Sequence, residues 1–308
     1  MSAAVPQPLP SVFVRNVEDA YGEVGGQWLA SLPRLVGRVA EAWELDVGRA
    51  FPSSYNYVAP ARRHVDGASC VLKLGLPDDR ALTHEAAALA EVDGEAAVRL
   101  LAHDPEAAAV LLERAQPGSP LADLVATNDD AATMAIAAVL RRFWRPAPAG
   151  LERRTIGGLV GAFARYRAAH RGSGPLPGPL VDRARAVFGE LVVSAPSPQV
   201  LLHGDLHHGN VLRHSDRWLA IDPKGLVGDI AFDTWPLLHN PHAAGIDVVA
   251  LLDRRIAVLA EQLPLERDRI TAWGFAGSLL SELWSVEDHG SVNGSALAVA
   301  EVLAGRIR

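Results

Sequence analysis

Apolar residues between Gly26 and Trp43 recur at three- and four-residue spacing, at Trp28, Leu32, Leu35, Val36, Val39 and Trp43. That period puts them on one face of an amphipathic helix. The pattern then shortens into five β-prone runs: LDVGRAF (45–51), SYNYVAPA (54–61), ASCVLKLG (68–75), AAVRLLAHD (96–104) and AAAVLLER (107–114). An alanine-rich helical stretch, Ala81 to Val92, separates the third run from the fourth. Three strands, a helix and two strands predict a small antiparallel sheet carrying one helix. Beyond QPGSP (116–120) helical periodicity takes over through Arg308, punctuated by PAPAG (146–150) and GSGPLPGP (172–179). The strong strand candidates in this half are QVLLH (199–203), NVLRH (210–214) and RWLAID (217–222). The expected fold class is α+β in two lobes, residues 1–115 and 116–308, with a hinge near Glu113 to Gly118.

Composition narrows the field. At 308 residues the chain is long enough for a large core or two lobes. A net charge of −7 argues against bulk attraction to nucleic acid or anionic lipid and suits a cationic small molecule better. The single cysteine, Cys70, excludes an internal disulfide or thiolate metal cage and fits a reducing compartment. No secretory signal is visible in MSAAVPQPLPSVFVRNVEDA. Apolar stretches such as Ala131 to Leu140 are too short to span a bilayer, so a cytoplasmic protein is expected.

Chemistry concentrates in LLHGDLHHGNVLRHSDRWLAID, residues 201–222. Three readings compete. His203 and His207 have the spacing of a zinc-binding helix, but Gly204 and Gly209 and the preceding strand oppose a helix, and no glutamate lies between the histidines. A polar turn would use Asp205 and Asn210 as backbone caps. A phosphoryl-transfer site would use Asp205 toward an acceptor hydroxyl, with Asn210 and Asp222 as oxygen ligands for magnesium beside a triphosphate. His203 then fixes the loop, and His207 and His208 are partly exposed loop residues. Such a site also needs a strand lysine and a helix glutamate upstream. Lys73, in an apolar strand where a buried ammonium needs a partner, and Glu85, in the next helix, supply both in the right order.

With these residues in place the chain resembles the aminoglycoside phosphotransferases, within them the streptomycin 6-phosphotransferase and hydroxyurea phosphotransferase branch. The likeness rests on SYNYVAP (54–60), VLKLG (71–75), HEAAAL (84–89), VRLL (98–101), LLERAQPG (111–118), LLHGDLHHGNVL (201–212), AIDPKGLVGDIAFD (220–233), LLHNP (237–241) and LWSVEDHG (283–290). It implies a protein-kinase-like two-lobed fold, with a small antiparallel-sheet N-lobe binding ATP and a mainly helical C-lobe carrying the metal and acceptor sites. Asp205 would be the catalytic aspartate, Asn210 and Asp222 the Mg²⁺ ligands, Lys73 the phosphate lysine and Glu85 its partner. The backbone at Glu113 and Ala115 would meet the nucleobase. No G-x-G-x-x-G is present; Ser53 and Ser54, in GRAFPSSYN (48–56), would cover the phosphates instead. Asp222-Pro223-Lys224 stands where protein kinases have Asp-Phe-Gly. Asp233, in GDIAFD, is expected to tie down the catalytic loop.

For the acceptor, Glu282, Trp284, Glu287 and Asp288 could hold a guanidinium or ammonium by charge-assisted bonds and cation–π contact, or could simply end a solvated helix. The expected activity is ATP- and Mg²⁺-dependent phosphorylation of a small-molecule hydroxyl, with streptomycin leading. Hydroxyurea, another metabolite, a nucleotide-binding module without transfer, or a zinc hydrolase are the alternatives.

Overall fold

The computed structural model describes residues 8–53, 55–77, 79–148, 151, 154–172, 174–196 and 198–307. Contacts divide the chain into two compact units, Met1–Gly94 with Val98–Ala115, and Glu95–Ala97 with Gln116–Arg308.

The first unit opens with α1 (Ser11–Ala42), followed by β1 (Leu45–Val47), β2 (Tyr57–Arg63) and β3 (Ser69–Leu74), then α2 (Ala81–Val92), β4 (Leu100–Asp104) and β5 (Ala109–Glu113). Helix α1 starts fifteen residues before the expected Gly26 (26 − 11), and Gly22 interrupts it at φ 53°, ψ −131°. The Phe13 and Trp28 rings meet edge to face at 5.8 Å, whereas residues 13 to 28 wound as one straight helix would span about 22 Å. The first half therefore folds back on the second, and a side chain at Gly25 would strike the Val17 carbonyl. The first half escapes periodicity analysis because Phe13 and Val17 are its only buried apolar anchors before the glycines.

The five strands form one antiparallel sheet in the order β1-β2-β3-β5-β4. Alternation along β3 sends Cys70, Leu72 and Leu74 into the core shared with α1, and Lys73 to the opposite face. The helix α2 supplies Glu85 to that face.

The second unit contains β6 (Pro117–Pro120), α3 (Ala122–Phe143), β7 (Arg145–Pro146), α4 (Gly161–Ala169), α5 (Gly178–Val193), β8 (Val200–Leu202), β9 (Val211–His214), β10 (Arg217–Ala220), β11 (Leu226–Gly228), α6 (Trp235–Leu238), α7 (Val248–Gln262), α8 (Arg267–His289) and α9 (Ser295–Ala304). Glu95–Ala97 joins it because Ala220 donates its N–H to the Ala96 carbonyl at 2.8 Å. Helix α8 is its axis: Trp273, Phe275, Leu279 and Leu280 are fully buried, and α5, α6, α7 and α9 pack around it. Two three-stranded ribbons, β10-β9-β6 and β11-β8-β7, sit on this helical body. Strands β6, β7 and β11, of four, two and three residues, are too short to show alternation in the sequence. No described helix is long and apolar enough to cross a membrane.

Candidate active site

Strand pairing assembles the candidate loop. Antiparallel pairing sets Leu202 of β8 opposite Leu226 of β11, so residues 203–205, which leave β8, lie beside residues 222–225, which enter β11. The Lys224 N–H donates to the His203 carbonyl at 2.7 Å and extends that ladder. Left-handed backbone at Gly204 (φ 85°), Asp222 (φ 62°) and Gly225 (φ 60°) makes the turns. A side chain at Gly204 would collide with those of Leu226 and Lys224, so glycine there permits the close approach.

Three of the expected residues converge here. The Lys224 ammonium lies 2.9 Å from Asp222 Oδ2 and 3.6 Å from Asp205 Oδ2, so the two carboxylates face one cation. Asn210 ends a short 3₁₀ turn (His208–Asn210) and donates its side-chain N–H to the Asp205 carbonyl at 3.0 Å. Its amide nitrogen thus serves the loop. The Ile221 N–H donates to the Asn210 carbonyl at 2.9 Å and links the two halves of the site.

The surrounding bonds hold this geometry. His203 is buried, its Nε2–H donates to the Ile221 carbonyl at 3.0 Å, and its Nδ1 accepts the Asp205 N–H at 3.2 Å. Burial pushes its pKa down to about 3, so the ring is neutral. Both ring nitrogens are engaged, so His203 has no lone pair to offer zinc. Among the described residues no group of three or more His, Cys, Asp or Glu could hold a metal ion. Asp233 is fully buried and accepts the N–H groups of Gly204 at 2.6 Å, Trp144 Nε1 at 2.9 Å and His203 at 3.0 Å. Burial nonetheless pushes its pKa up to about 6. Asp229, close before it, accepts the Trp273 and Arg269 side chains at 2.6 Å each.

One expectation is corrected directly: His208 is buried, not a partly exposed loop residue, and burial pushes its pKa down to about 2. His207 is half-buried, and its Nδ1 accepts the Gly209 N–H at 3.0 Å.

In the first unit the Lys73 ammonium meets Glu85 Oε2 at 2.6 Å, with both side chains buried. The Ser53 hydroxyl donates to the Asn56 carbonyl and so closes a turn; Ser54 lies outside the described residues. Glu113 donates its N–H to the Arg99 carbonyl at 2.8 Å, and Ala115 is buried at the end of this unit.

The expected acceptor residues scatter in role. Glu282 is buried, and its carboxylate accepts the N–H groups of Asn293 at 2.7 Å, Gly294 at 2.9 Å and Leu297 at 2.9 Å. It therefore secures the start of α9 rather than facing a ligand. Glu287 forms a two-pronged ion pair with Arg165, at 2.7 and 3.0 Å, which lowers its pKa. Trp284 and Asp288 are half-buried. Residues not anticipated as a group are the rings beside Trp284: Trp235 at 6.4 Å, His239 stacked on Trp235 at 5.4 Å, and His242 at 5.6 Å from His239. Lys224 was likewise visible only as a departure from Asp-Phe-Gly. Its place two residues after Asp222 carried no spacing rule that could have assigned it a contact with Asp205.

Comparison with known proteins places these features in context. Residues 44–289 match the model of the aminoglycoside/hydroxyurea antibiotic resistance kinase family. The chain is 36% identical to streptomycin 6-kinase of Streptomyces glaucescens, over 98% of this chain and 97% of the relative. It is also 36% identical to hydroxyurea phosphotransferase of Kitasatospora aureofaciens, over 92% of this chain and 82% of the relative. Among solved structures it resembles the choline kinase LicA of Streptococcus pneumoniae, with a TM-score of 0.62, 13% identity and coverage of 91% and 98%. The fold is protein-kinase-like.

Proposed function

The chain belongs to the aminoglycoside/hydroxyurea antibiotic resistance kinase family, and from that premise we propose that this ATP-dependent phosphotransferase phosphorylates a hydroxyl of a streptomycin-type aminoglycoside. The observation that carries the reading is that Asp205 and Asp222 face one ammonium while Asn210 is bonded to the Asp205 backbone beside them. A carboxylate pair with a neutral amide oxygen is a hard-oxygen donor set, and a cation already sits against it. Both features fit magnesium. Asn210 and Asp222 would hold that ion, which when bound neutralises charge on the β- and γ-phosphates.

Asp205 receives the proton of the acceptor hydroxyl as its oxygen bonds to the γ-phosphorus and the bond to the β–γ bridging oxygen breaks, releasing ADP. Lys73, oriented by Glu85, holds the α/β-phosphates. Residues 1–115 carry nucleotide binding, with Ser53 and Ser54 at the phosphates and the Glu113 and Ala115 backbone at the base. Residues 116–308 carry the metal and the acceptor. The transition state leaves little covalent work for the protein, so rigid placement of Asp205 by His203 and Asp233 is what accelerates transfer. Net charge −7 and the half-buried ring of Trp284 favour a cationic acceptor.

Hydroxyurea is the second reading, because the family description and a relative of equal identity both name it. Acceptor-dependent ADP release, measured with streptomycin, other aminoglycosides and hydroxyurea, tests the proposal. Streptomycin should support turnover and yield a phosphomonoester by ³¹P NMR. Turnover with hydroxyurea and none with streptomycin would replace the leading acceptor, and ATP binding without transfer to any acceptor would contradict a transfer function.

A further inference from the structure

Lys224 is held where a flexible surface lysine would not be. Its N–H donates to the His203 carbonyl at 2.7 Å, and its carbonyl accepts Arg154 Nε at 3.1 Å, so the backbone is fixed from both sides. Its β-carbon lies against Gly204, where any side chain would collide with it. The ammonium then reaches Asp222 at 2.9 Å and Asp205 at 3.6 Å. Two carboxylates this close repel, and a shared cation offsets that repulsion. A divalent ion bound by Asp222 would do the same work at the same carboxylate, so ammonium and metal compete for it.

We infer that Lys224 is a mobile third cation of the site: it bridges Asp205 and Asp222 in the metal-free protein, yields Asp222 to the metal ion, and then meets the oxygens of the transferring phosphoryl group. The inference rests on the reading of Asp205 and Asp222 as the catalytic and metal carboxylates. During transfer the acceptor oxygen–phosphorus bond forms as the phosphorus–bridging oxygen bond breaks, the proton goes to Asp205, and ADP departs with the bonding pair. Lys224 exchanges no proton or bond; it balances charge where charge spreads over the phosphoryl oxygens.

A purely structural lysine and a competing cation predict opposite effects on metal binding. Mn²⁺ alone is titrated into the full-length wild type, Lys224→Met and Lys224→Gln, following the EPR signal of the free ion. Transfer from ATP is measured in single turnover on the same proteins. Both variants should bind Mn²⁺ about two- to fivefold tighter, the factor that an exposed ion pair is worth. Both should transfer phosphate on the order of 10²-fold more slowly, and Lys224→Arg should recover part of that loss. Mn²⁺ affinity unchanged or weakened in both variants, or transfer at the wild-type rate, overturns the inference. Asp222→Ala separates the premise from the inference, because undiminished Mn²⁺ binding by that variant contradicts the metal assignment itself. Absence of transfer by the wild type to any acceptor contradicts the acceptor assignment and leaves the Mn²⁺ comparison to decide Lys224.

Discussion

The carboxylate of Asp233 accepts the N–H of Gly204 at 2.6 Å, across the ribbon that joins the two halves of the site. The same group takes the N–H of His203 and the indole N–H of Trp144. One buried side chain thereby fixes the first turn after β8, and with it the direction in which Asp205 leaves the strand. Asp233→Asn replaces one acceptor oxygen with an NH₂ that faces backbone donors. It should cost about 1–3 kcal/mol in urea denaturation and lower kcat while ATP affinity stays near that of the wild type. Full activity in a destabilised variant would show that the loop does not depend on this anchor.

Lys73 and Glu85 give a second prediction. Glu85→Ala strands a buried ammonium, and breaking such a pair costs about 3–5 kcal/mol. Replacing both, as Lys73→Met with Glu85→Leu, should recover most of that stability because apolar residues pack where the ions stood. Activity should not return, since the phosphate lysine is gone. A double variant as active as the wild type would remove Lys73 from phosphate binding.

Stability should fall in mild acid. His203, His208 and His239 are buried and neutral, with pKa values pushed by desolvation down to about 3, 2 and 3. Their unfolded pKa is about 6.5, so below that pH the unfolded chain binds three protons that the native protein does not. Asp233, raised to about 6, works the other way, taking up a proton in the native state between pH 6 and its unfolded value of about 4. Near pH 5 these groups leave a net two protons (3 − 1) favouring the unfolded state, a slope of roughly 3 kcal/mol per pH unit. Urea midpoints from pH 7.5 to 5 should show that loss, and His208→Leu should make the decline shallower. A midpoint that holds or rises over this range would contradict the assignment of neutral buried rings.

Glu282 should behave as a helix cap. Glu282→Gln weakens the bonds to the start of α9 and should cost about 1–3 kcal/mol of stability, with the acceptor KM unchanged. A raised KM without loss of stability would return Glu282 to the acceptor site.

Much of this was legible in the sequence for physical reasons. Strands β2 and β3 of the first unit carry valine and alternate between buried and less buried positions over most of their length, and α2 runs over the same Ala81–Val92 as the alanine-rich stretch. The loop stood out because Asp205, Asn210 and Asp222 lie in one short passage between apolar runs, whereas β11, the three-residue strand whose pairing with β8 brings Asp222 beside Asp205, left no pattern to read. What was hidden depended on close approach. The fold-back of α1 needs Gly22 and Gly25, the buried state of His208 depends on distant elements, and the reach of Lys224 depends on the space left by Gly204. Acidic residues near Trp284 looked alike in sequence, yet one caps a helix and another pairs with Arg165. Spacing does not record which backbone donors a carboxylate will meet.

Asp205→Asn is the most direct test of the account. The substitution keeps the shape and removes the proton acceptor, so ATP affinity by calorimetry should remain near wild type. Single-turnover phosphate transfer to streptomycin should fall on the order of 10²–10⁴-fold. Transfer within a few-fold of wild type would contradict the central claim that this carboxylate serves the acceptor hydroxyl.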